Sequence, residues 1–253
     1  MAFNNRKPQK QGAHGVARVI SKRGYCSRSQ AEKLVREGHV ILRGKPVRDP
    51  ESPAYENDEI LVDGTPVTSS EFVYFAMNKP RGIVTTASDE KDRKTVMDLF
   101  REQFAKMFPG KTMPHIAPIG RLDAASEGLL LFTNDTAWAD RVLTDASRKK
   151  IYRVQVAGKP SDAELEQMEK GFHVPPRVFG ESEEFMHAER VVFHSEGEKN
   201  CWLEITLSEG KNREIRRMLA HLGYEVMRLI RIQFDKYTLD DLKPGEIRPL
   251  NLR

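Results

Sequence analysis

The stretch that most constrains the fold is residues 120–135, GRLDAASEGLLLFTND. Its second half is a continuous apolar run that follows a glycine and ends in polar residues, which predicts a strand buried on both faces. Asp123 lies at the mouth of that strand, where a rigid scaffold can hold a carboxylate partly away from water. The pattern leaves two interpretations open: Asp123 is a turn or cap residue, or it is a working nucleophile or base.

A second carboxylate, Glu127, follows Asp123 four residues later. A pair of acids is the machinery of glycoside hydrolysis, and two residues at this spacing share a face of a helix. The glycine-containing, strand-like continuation argues against a helix here. The spacing alone is a weak signal, and we do not favour the hydrolase interpretation.

Charge is distributed unevenly along the 253 residues. Residues 1–48 carry 12 Lys/Arg against 2 Asp/Glu, a net charge of +10, whereas the remaining residues carry 29 against 35, a net charge of −6. A basic end indicates a polyanionic partner, most simply nucleic acid, and the alternative is a solubilising basic tail.

Other features exclude several classes of protein. No apolar run approaches the roughly 18 residues of a membrane-spanning helix, and the first residues lack the apolar stretch of a secretory signal. Cys26 and Cys201 lie far apart with no Cys/His cluster, which argues against a metal site or a disulfide framework. We therefore expect a cytoplasmic protein with no membrane association, no metal and reduced cysteines.

The basic end reads as a disordered tail, residues 1–13, followed by a small domain, residues 14–67. VARVISKRG predicts a helix that buries Val16, Val19 and Ile20 and ends at Gly24. In SRSQAEKLVREGHV, Ser29 and Glu32 predict a capping box, and Gly38 a C-cap. The buried face of this helix would be Ala31, Leu34 and Val35, and its outer face Arg28, Lys33 and Arg36. HVILRGKPV and DEILVDGTPV predict short strands with glycine turns.

A linker at residues 68–71 precedes a larger domain, residues 72–253. FVYFAMNKPRG, IYRVQVAG, CWLEITLSEG and EVMRLIRIQF predict strands; LFREQFAKMF, DAELEQMEKG and REIRRMLAHLG predict helices; and PGKTMPHIAPIG predicts a loop. Strands and helices are mixed without strict alternation, which favours an α+β fold over a doubly wound one.

Two further segments of this domain carry candidate site residues. In KKIYRVQVAG, Tyr152 shares a strand face with Val154 and Val156, either as a core aromatic or as a platform for a base. EGKNREIRRMLAHLG opens a helix with basic residues in its first turn, which opposes the helix macrodipole. An anionic partner or a solvated basic face explains that cluster: Lys211, Arg213, Arg216 and Arg217.

GRLDAASEGLLLFTND, YRVQVAG, EGKNREIRRML and RLIRI, in this order, resemble the signature of pseudouridine synthases, most closely the RsuA-type branch that modifies ribosomal RNA. GYCSRSQAEKLVREGHVILRGKPV through DEILVDG resembles the alpha-L, or S4-like, RNA-binding motif. Together the similar segments cover most of residues 14–250. The resemblance implies a small N-terminal S4-like domain and a larger synthase domain with a mixed, mainly antiparallel sheet and flanking helices.

The resemblance also implies roles for particular residues. Asp123 matches the essential catalytic carboxylate, Tyr152 the tyrosine near the target base, and Arg216 the arginine that pairs with that carboxylate. Leu229 matches an apolar residue that packs against the site. The RNA contacts expected beside them are Arg121, Lys211 and Arg213 in the larger domain and Arg28, Lys33 and Arg36 in the smaller one.

Two positions depart from the family pattern. Ser126 stands where threonine is usual and keeps a hydroxyl group. Glu214 stands where glutamine is frequent, which removes an amide donor and adds a negative charge, so the role of this position is open.

The implied activity is isomerisation of a uridine in ribosomal RNA, with the large subunit favoured over the small. It implies a monomer whose partner is rRNA and which needs no cofactor. The alternative is a non-catalytic RNA-binding or ribosome-assembly protein that keeps the fold, and the set Asp123, Tyr152 and Arg216 argues against it.

Overall fold

The computed structural model describes residues 12–68, 71–86, 93–176 and 182–251 and divides into two compact units. The first unit holds the described residues up to Val73, with Pro114–Ile116 and Asn134–Ala137. The second holds the described residues of Tyr74–Met113, Ala117–Thr133 and Trp138–Arg253. The tail assigned to residues 1–13 lies outside the described residues except for its last two positions, as do residues 69 and 70 of the linker.

The first unit is a helix pair packed on small hairpins. In chain order it holds β1 (His14–Gly15), α1 (Val16–Lys22), α2 (Arg28–Glu37), β2 (Val40–Leu42), β3 (Lys45–Val47), β4 (Pro53–Ala54), β5 (Ile60–Val62) and β6 (Thr65–Pro66). The strand order β3-β2-β5-β6 joins the two predicted hairpins into one antiparallel sheet. Val16, Val19 and Ile20 are fully buried in the core, as the helical spacing predicts.

The cap of α2 differs from the prediction. Ser27, not Ser29, is the N-cap: its hydroxyl accepts from the Gln30 amide, and the Gln30 side chain accepts from the Ser27 amide. Both serines have a suitable partner three residues on, and the helix starts two residues earlier than the Ser29 box requires. Gly38 is the predicted C-cap and adopts the left-handed conformation at φ 88°.

The chain from Tyr74 onward builds a large sheet with flanking helices. Its elements are β7 (Tyr74–Lys79), α3 (Val96–Met107), β8 (Ala117–Ile119), β9 (Glu127–Thr133), α4 (Thr136–Thr144), β10 (Lys150–Ala157), α5 (Asp162–Lys170), β11 (Phe172–Val174), β12 (Glu184–Met186), β13 (Arg190–Glu196), β14 (Asn200–Leu207), α6 (Glu214–His221), β15 (Val226–Phe234), β16 (Tyr237–Thr238) and β17 (Ile247–Pro249).

The strand order of this sheet is β13-β14-β10-β15-β9-β7-β17. Its neighbours pair antiparallel except β15 and β9, which pair parallel through Ile230 with Glu127 and Arg231 with Gly128. The predicted α+β class with a mixed, mainly antiparallel sheet is confirmed. Leu129, Leu130, Leu131 and Phe132 of β9 are all fully buried, as the apolar run predicts.

Several elements differ from the sequence-based prediction. The segment expected to be loop up to Gly120 ends in strand β8, which pairs with β9 although it contains Pro118. Helix α3 starts at Val96, three residues before the predicted segment, because Thr95 and Asp98 form a capping box. No sequence pattern predicted α4, the strand β13 or the short strands β11, β12, β16 and β17.

Candidate active site

The loop that carries Asp123 is held by a buried lysine. Lys79, at the end of β7, is fully buried, and its ammonium donates to the carbonyl oxygens of Pro80 (3.1 Å), Asp123 (3.0 Å) and Ser126 (2.7 Å). Burial lowers the pKa of Lys79 to about 8, and the negative charges of Asp123 and Glu127 act in the opposite direction. The three donors of the ammonium therefore hold the main chain at Asp123 and Ser126 and join it to Pro80.

Main-chain contacts complete this support. The Thr85 hydroxyl donates to the Leu122 carbonyl at 2.7 Å, and the Gly82 amide donates to the Ala124 carbonyl at 2.7 Å. At the start of β9, Gly128 has a φ of 103°, and a Cβ atom there would lie 2.3 Å from the Arg231 carbonyl oxygen. Glycine is needed at this position because β15 approaches the backbone too closely for a side chain.

The carboxylate of Asp123 faces an arginine of the α6 turn. Arg213 Nη1 lies 3.2 Å from Asp123 Oδ2, and the two side chains are 39% and 42% exposed. Arg213 is the residue before α6 and adopts a left-handed backbone conformation, φ 52°. The expected role of Arg213 was a contact with RNA, and its position beside Asp123 was not predicted.

The pairing of Arg216 with Asp123 that the resemblance implies is not formed in this structure, and a catalytic role of Arg216 remains a prediction. Arg216 donates to the carbonyl oxygens of Ala125 (3.1 Å) and Val226 (3.0 Å), and no hydrogen bond from it to Asp123 occurs among the described residues. Burial lowers the pKa of Arg216 and the charge of Arg213 adds to that shift, while the charge of Asp123 opposes it. In this structure Arg216 joins the Asp123 loop to β15, and Arg213 meets the carboxylate.

A cavity of about 430 Å³ opens beside the carboxylate, a size typical of small-molecule sites. Arg216 is not in the wall of this cavity. Six of the expected site residues are in the wall: Asp123, Tyr152, Leu229, Arg121, Lys211 and Arg213. Tyr152 is 7% exposed on the face of β10 shared with Val154 and Val156, and Leu229 of the adjacent β15 is equally buried.

Three charged residues of the cavity wall have no role in the sequence-based site: Lys150, Glu214 and Arg231. Glu214 is 4% exposed and accepts from the Lys211 amide at 3.0 Å. Burial raises its pKa. Burial also lowers the pKa of Lys150, and the charge of Arg231 lowers it further, while Glu214 opposes that shift. Lys150 and Arg231 belong to the strand segments KKIYRV and RLIRI, so a same-face argument from Tyr152 and Leu229 could have found them.

Glu127 is occupied elsewhere. Its two carboxylate oxygens accept from Arg228 Nε at 3.1 Å and Arg228 Nη2 at 2.8 Å, a bidentate pair. Glu127 is not part of the cavity wall that contains Asp123. This arrangement agrees with the rejection of a paired-acid hydrolase site.

The basic face of α2 in the first unit is exposed as expected. Arg28 pairs with Glu32 and Glu51, Arg36 with Glu32, and Lys33 only distantly with Glu37 at 3.8 Å. Exposed pairs contribute little stability, on the order of 0–1 kcal/mol each, so phosphate groups can compete for these cations.

The described residues form neither a metal-binding cluster nor a membrane-spanning helix. Within residues 12–68, 71–86, 93–176 and 182–251, no group of three or more His, Cys, Asp and Glu side chains is placed to hold a metal ion. In the same part of the chain, no helix has the length and apolar character needed to cross a membrane.

The chain combines a mixed sheet that gathers a carboxylate, a buried tyrosine and several cations around one cavity with a basic helix-and-hairpin unit, a combination typical of RNA-modifying enzymes. Residues 73–221 match the family model for RNA pseudouridylate synthase, and residues 16–60 match the S4 domain. The chain belongs to the RNA pseudouridylate synthase family, whose members isomerise uridine to pseudouridine in RNA. The resemblance seen in the sequence is confirmed.

Individual proteins support the same assignment. The chain is 34% identical to ribosomal large subunit pseudouridine synthase B of Bacillus subtilis, over 93% of this chain and 91% of that protein. It is 36% identical to an RNA pseudouridine synthase of Rickettsia conorii, over 94% of this chain and 96% of that protein. A crystal structure of a pseudouridylate synthase superposes with a TM-score of 0.60 at 27% identity and covers 94% of this chain and 96% of that one.

Proposed function

We propose that this enzyme converts a specific uridine of ribosomal RNA to pseudouridine, that the large-subunit rRNA carries the target, and that Asp123 is the catalytic carboxylate. The observation that carries the proposal is the position of Asp123 in the cavity wall, with its loop fixed by Lys79 and its carboxylate 3.2 Å from Arg213. The similarity to the Bacillus subtilis large-subunit enzyme supports the choice of rRNA.

The reaction exchanges one bond of the nucleotide for another. The glycosidic bond between N1 and C1′ breaks, a bond between C5 and C1′ forms, C5 loses a proton and N1 gains one. Atoms and electrons balance without an oxidant, a reductant or an external group, so the proposal includes no cofactor.

Asp123 acts in the first step of this reaction, as nucleophile or as base toward the nucleotide. Arg213 orients the Asp123 carboxylate. The Lys79 ammonium holds the Asp123 loop in place while charge develops during the reaction. Tyr152 stacks on the uracil and assists removal of the C5 proton, and Leu229 packs against the base from the neighbouring strand.

The uridine must leave its RNA stack to reach the cavity, at a cost on the order of a few kcal/mol. Phosphate contacts offset that cost. We assign them to the exposed Arg121 and Arg213 and the half-buried Lys211 near the cavity, and to the exposed cations of α2, Arg28, Lys33 and Arg36. Such contacts make binding strongly dependent on salt. We also propose that the enzyme is a monomer and that it acts in the cytoplasm, where ribosomes are assembled.

A pseudouridine map of rRNA tests the proposal. Cells that lack the gene are complemented with the unaltered enzyme, with Asp123→Asn, or with the control Asp162→Asn, which alters an exposed aspartate in the first turn of α5. We expect one large-subunit pseudouridine to depend on the gene and to be restored by all but Asp123→Asn. Restoration by Asp123→Asn overturns its role, and an unchanged map after deletion favours a non-catalytic RNA-binding protein.

A further inference from the structure

The cavity beside Asp123 has a charged inner wall, formed by Lys150, Glu214 and Arg231, that the proposed chemistry leaves unused. We call these three residues the charged floor. Glu214 and Arg231 are 4% and 3% exposed, which is rare for ionised side chains unless they have partners. Because these charged side chains line the cavity, they are placed to contact a polar ligand.

Arg231 has unused hydrogen-bonding capacity. Its Nε donates to the Leu129 carbonyl at 2.8 Å, and its guanidinium lies 5.1 Å from the Phe234 ring centroid. Its Nη2 is buried and has no hydrogen-bond partner among the described residues. A buried donor without a partner is costly, about 1–3 kcal/mol, so an acceptor on a bound ligand relieves that cost.

Lys150 and Glu214 complete the floor. The Lys150 ammonium donates to the Ser208 carbonyl at 3.2 Å and the Glu209 carbonyl at 3.3 Å, and it interacts electrostatically with both Arg231 and Glu214. One Glu214 oxygen accepts from the Lys211 amide. A carboxylate has about four acceptor sites, so capacity remains for a ligand N–H.

We infer that the charged floor binds the uracil through its polar edge: Glu214 accepts from N3–H, and Arg231 and Lys150 donate to the two carbonyl oxygens. This rests on the proposed function. The edge of uracil reads acceptor, donor, acceptor, and the floor offers a carboxylate and two cations. Cytosine presents a lone pair at N3 and an amino group at C4, so it would meet the carboxylate and a cation with the wrong polarity.

The arrangement also suits the rotation that the reaction requires. To exchange N1 for C5, the detached uracil turns about the axis through N3 and C6. This turn exchanges the two carbonyl oxygens and leaves N3–H in place. Uracil bound in the proposed way would therefore keep its hydrogen bond from N3–H to Glu214 and exchange its two carbonyl oxygens between Arg231 and Lys150.

The test uses a synthetic RNA stem-loop that contains the mapped target as uridine or as 3-methyluridine. Methylation removes the N3–H donor and places a methyl group against the carboxylate. For the unaltered enzyme we expect kcat/KM to fall at least about 100-fold on methylation, as in sites built to bind an N–H group. Pseudouridine formation is measured with the full chain.

Two substitutions separate recognition from folding. Glu214→Gln keeps the shape and a carbonyl acceptor, so the preference for uridine over 3-methyluridine should persist. Glu214→Ala removes the acceptor and the obstruction, so the preference should fall toward one. The control Glu166→Gln alters an exposed, remote carboxylate of α5 and should behave as the unaltered enzyme.

A uridine preference that Glu214→Ala leaves unchanged overturns the inference. If Glu214→Ala does not fold, the unaltered enzyme decides: equal turnover of both RNAs overturns the inference. Failure of the proposed function is a different result, because the unaltered enzyme would then form no pseudouridine even from the uridine stem-loop.

Discussion

The ammonium of Lys79 donates a 3.0 Å hydrogen bond to the main-chain carbonyl of Asp123 while the Asp123 carboxylate lies 3.2 Å from Arg213. One residue thus receives its main-chain support from β7 and its side-chain partner from the turn before α6. The loop is fixed from inside the fold, and the carboxylate remains at the cavity wall where a nucleotide can reach it.

Lys79 makes the free energy of unfolding of the enzyme depend on pH in the alkaline range. Its pKa falls from 10.5 to about 8 on folding, so the folded chain binds fewer protons than the unfolded chain between these values. Its contribution to stability is therefore fully present above pH 10.5 and is lost as the pH falls through about 8.

The measurement compares the unaltered enzyme with Lys79→Met by urea unfolding at several pH values. The free energy of unfolding of the unaltered enzyme relative to the variant should increase by on the order of 3 kcal/mol as the pH rises from about 8 toward 10.5. A difference that stays constant with pH contradicts the assignment of this titration to Lys79.

Substitution of Arg213 should affect catalysis, whereas substitution of Arg216 should affect stability. Arg216→Ala removes donors to two main-chain carbonyls in a half-buried site and should lower the free energy of unfolding by about 1–3 kcal/mol. Arg213→Ala removes an exposed partner of Asp123, so it should leave stability within about 0.5 kcal/mol and lower kcat. Urea unfolding and turnover of rRNA check both, and unchanged kcat in Arg213→Ala would contradict its role.

Gly128→Ala should disrupt the parallel pairing of β9 and β15. The added Cβ would lie 2.3 Å from the Arg231 carbonyl, so one strand must move, and we expect a loss of about 3 kcal/mol or more. Gly82→Ala is the matched control, because Gly82 also has a positive φ, 90°, but open space around it. Its strain should cost only about 1–2 kcal/mol. Equal losses in urea unfolding would show that steric contact with β15 is unimportant.

Ser27→Ala should weaken the start of α2 by about 0.5–2 kcal/mol because the cap of the Gln30 amide is lost. Ser29→Ala should have little effect, since Ser29 lies inside the exposed first turn. Hydrogen exchange of the α2 amides in the full chain measures both. Faster exchange in Ser29→Ala than in Ser27→Ala would contradict the observed cap.

The sequence predicts the scaffold of the site well where one periodic pattern dominates. The apolar run of β9 and the alternation around Tyr152 correctly predict which side chains are buried. A continuous apolar run indicates a strand buried on both faces, and an alternating pattern indicates a strand buried on one face. The gathering of Asp123, Tyr152 and Leu229 at one cavity came from motif resemblance, and their identity as the reacting set remains a prediction.

The partners of Asp123 escaped prediction for physical reasons. Lysine is normally an exposed residue, so a fully buried Lys79 held by three carbonyls has no pattern in a single sequence. Arg213 reaches the carboxylate because of a left-handed backbone that is uncommon for residues other than glycine and asparagine. These contacts depend on tertiary geometry that local propensity does not encode.

The parallel pairing of β9 with β15 also sets the order in which the enzyme can become active during synthesis. Glu127 pairs with Ile230, so about a hundred residues are translated after the Asp123 loop before its neighbouring strand exists. Leu229 and Arg231 arrive with that strand. A growing chain that already carries Asp123 therefore lacks one wall of its cavity until β15 has been translated.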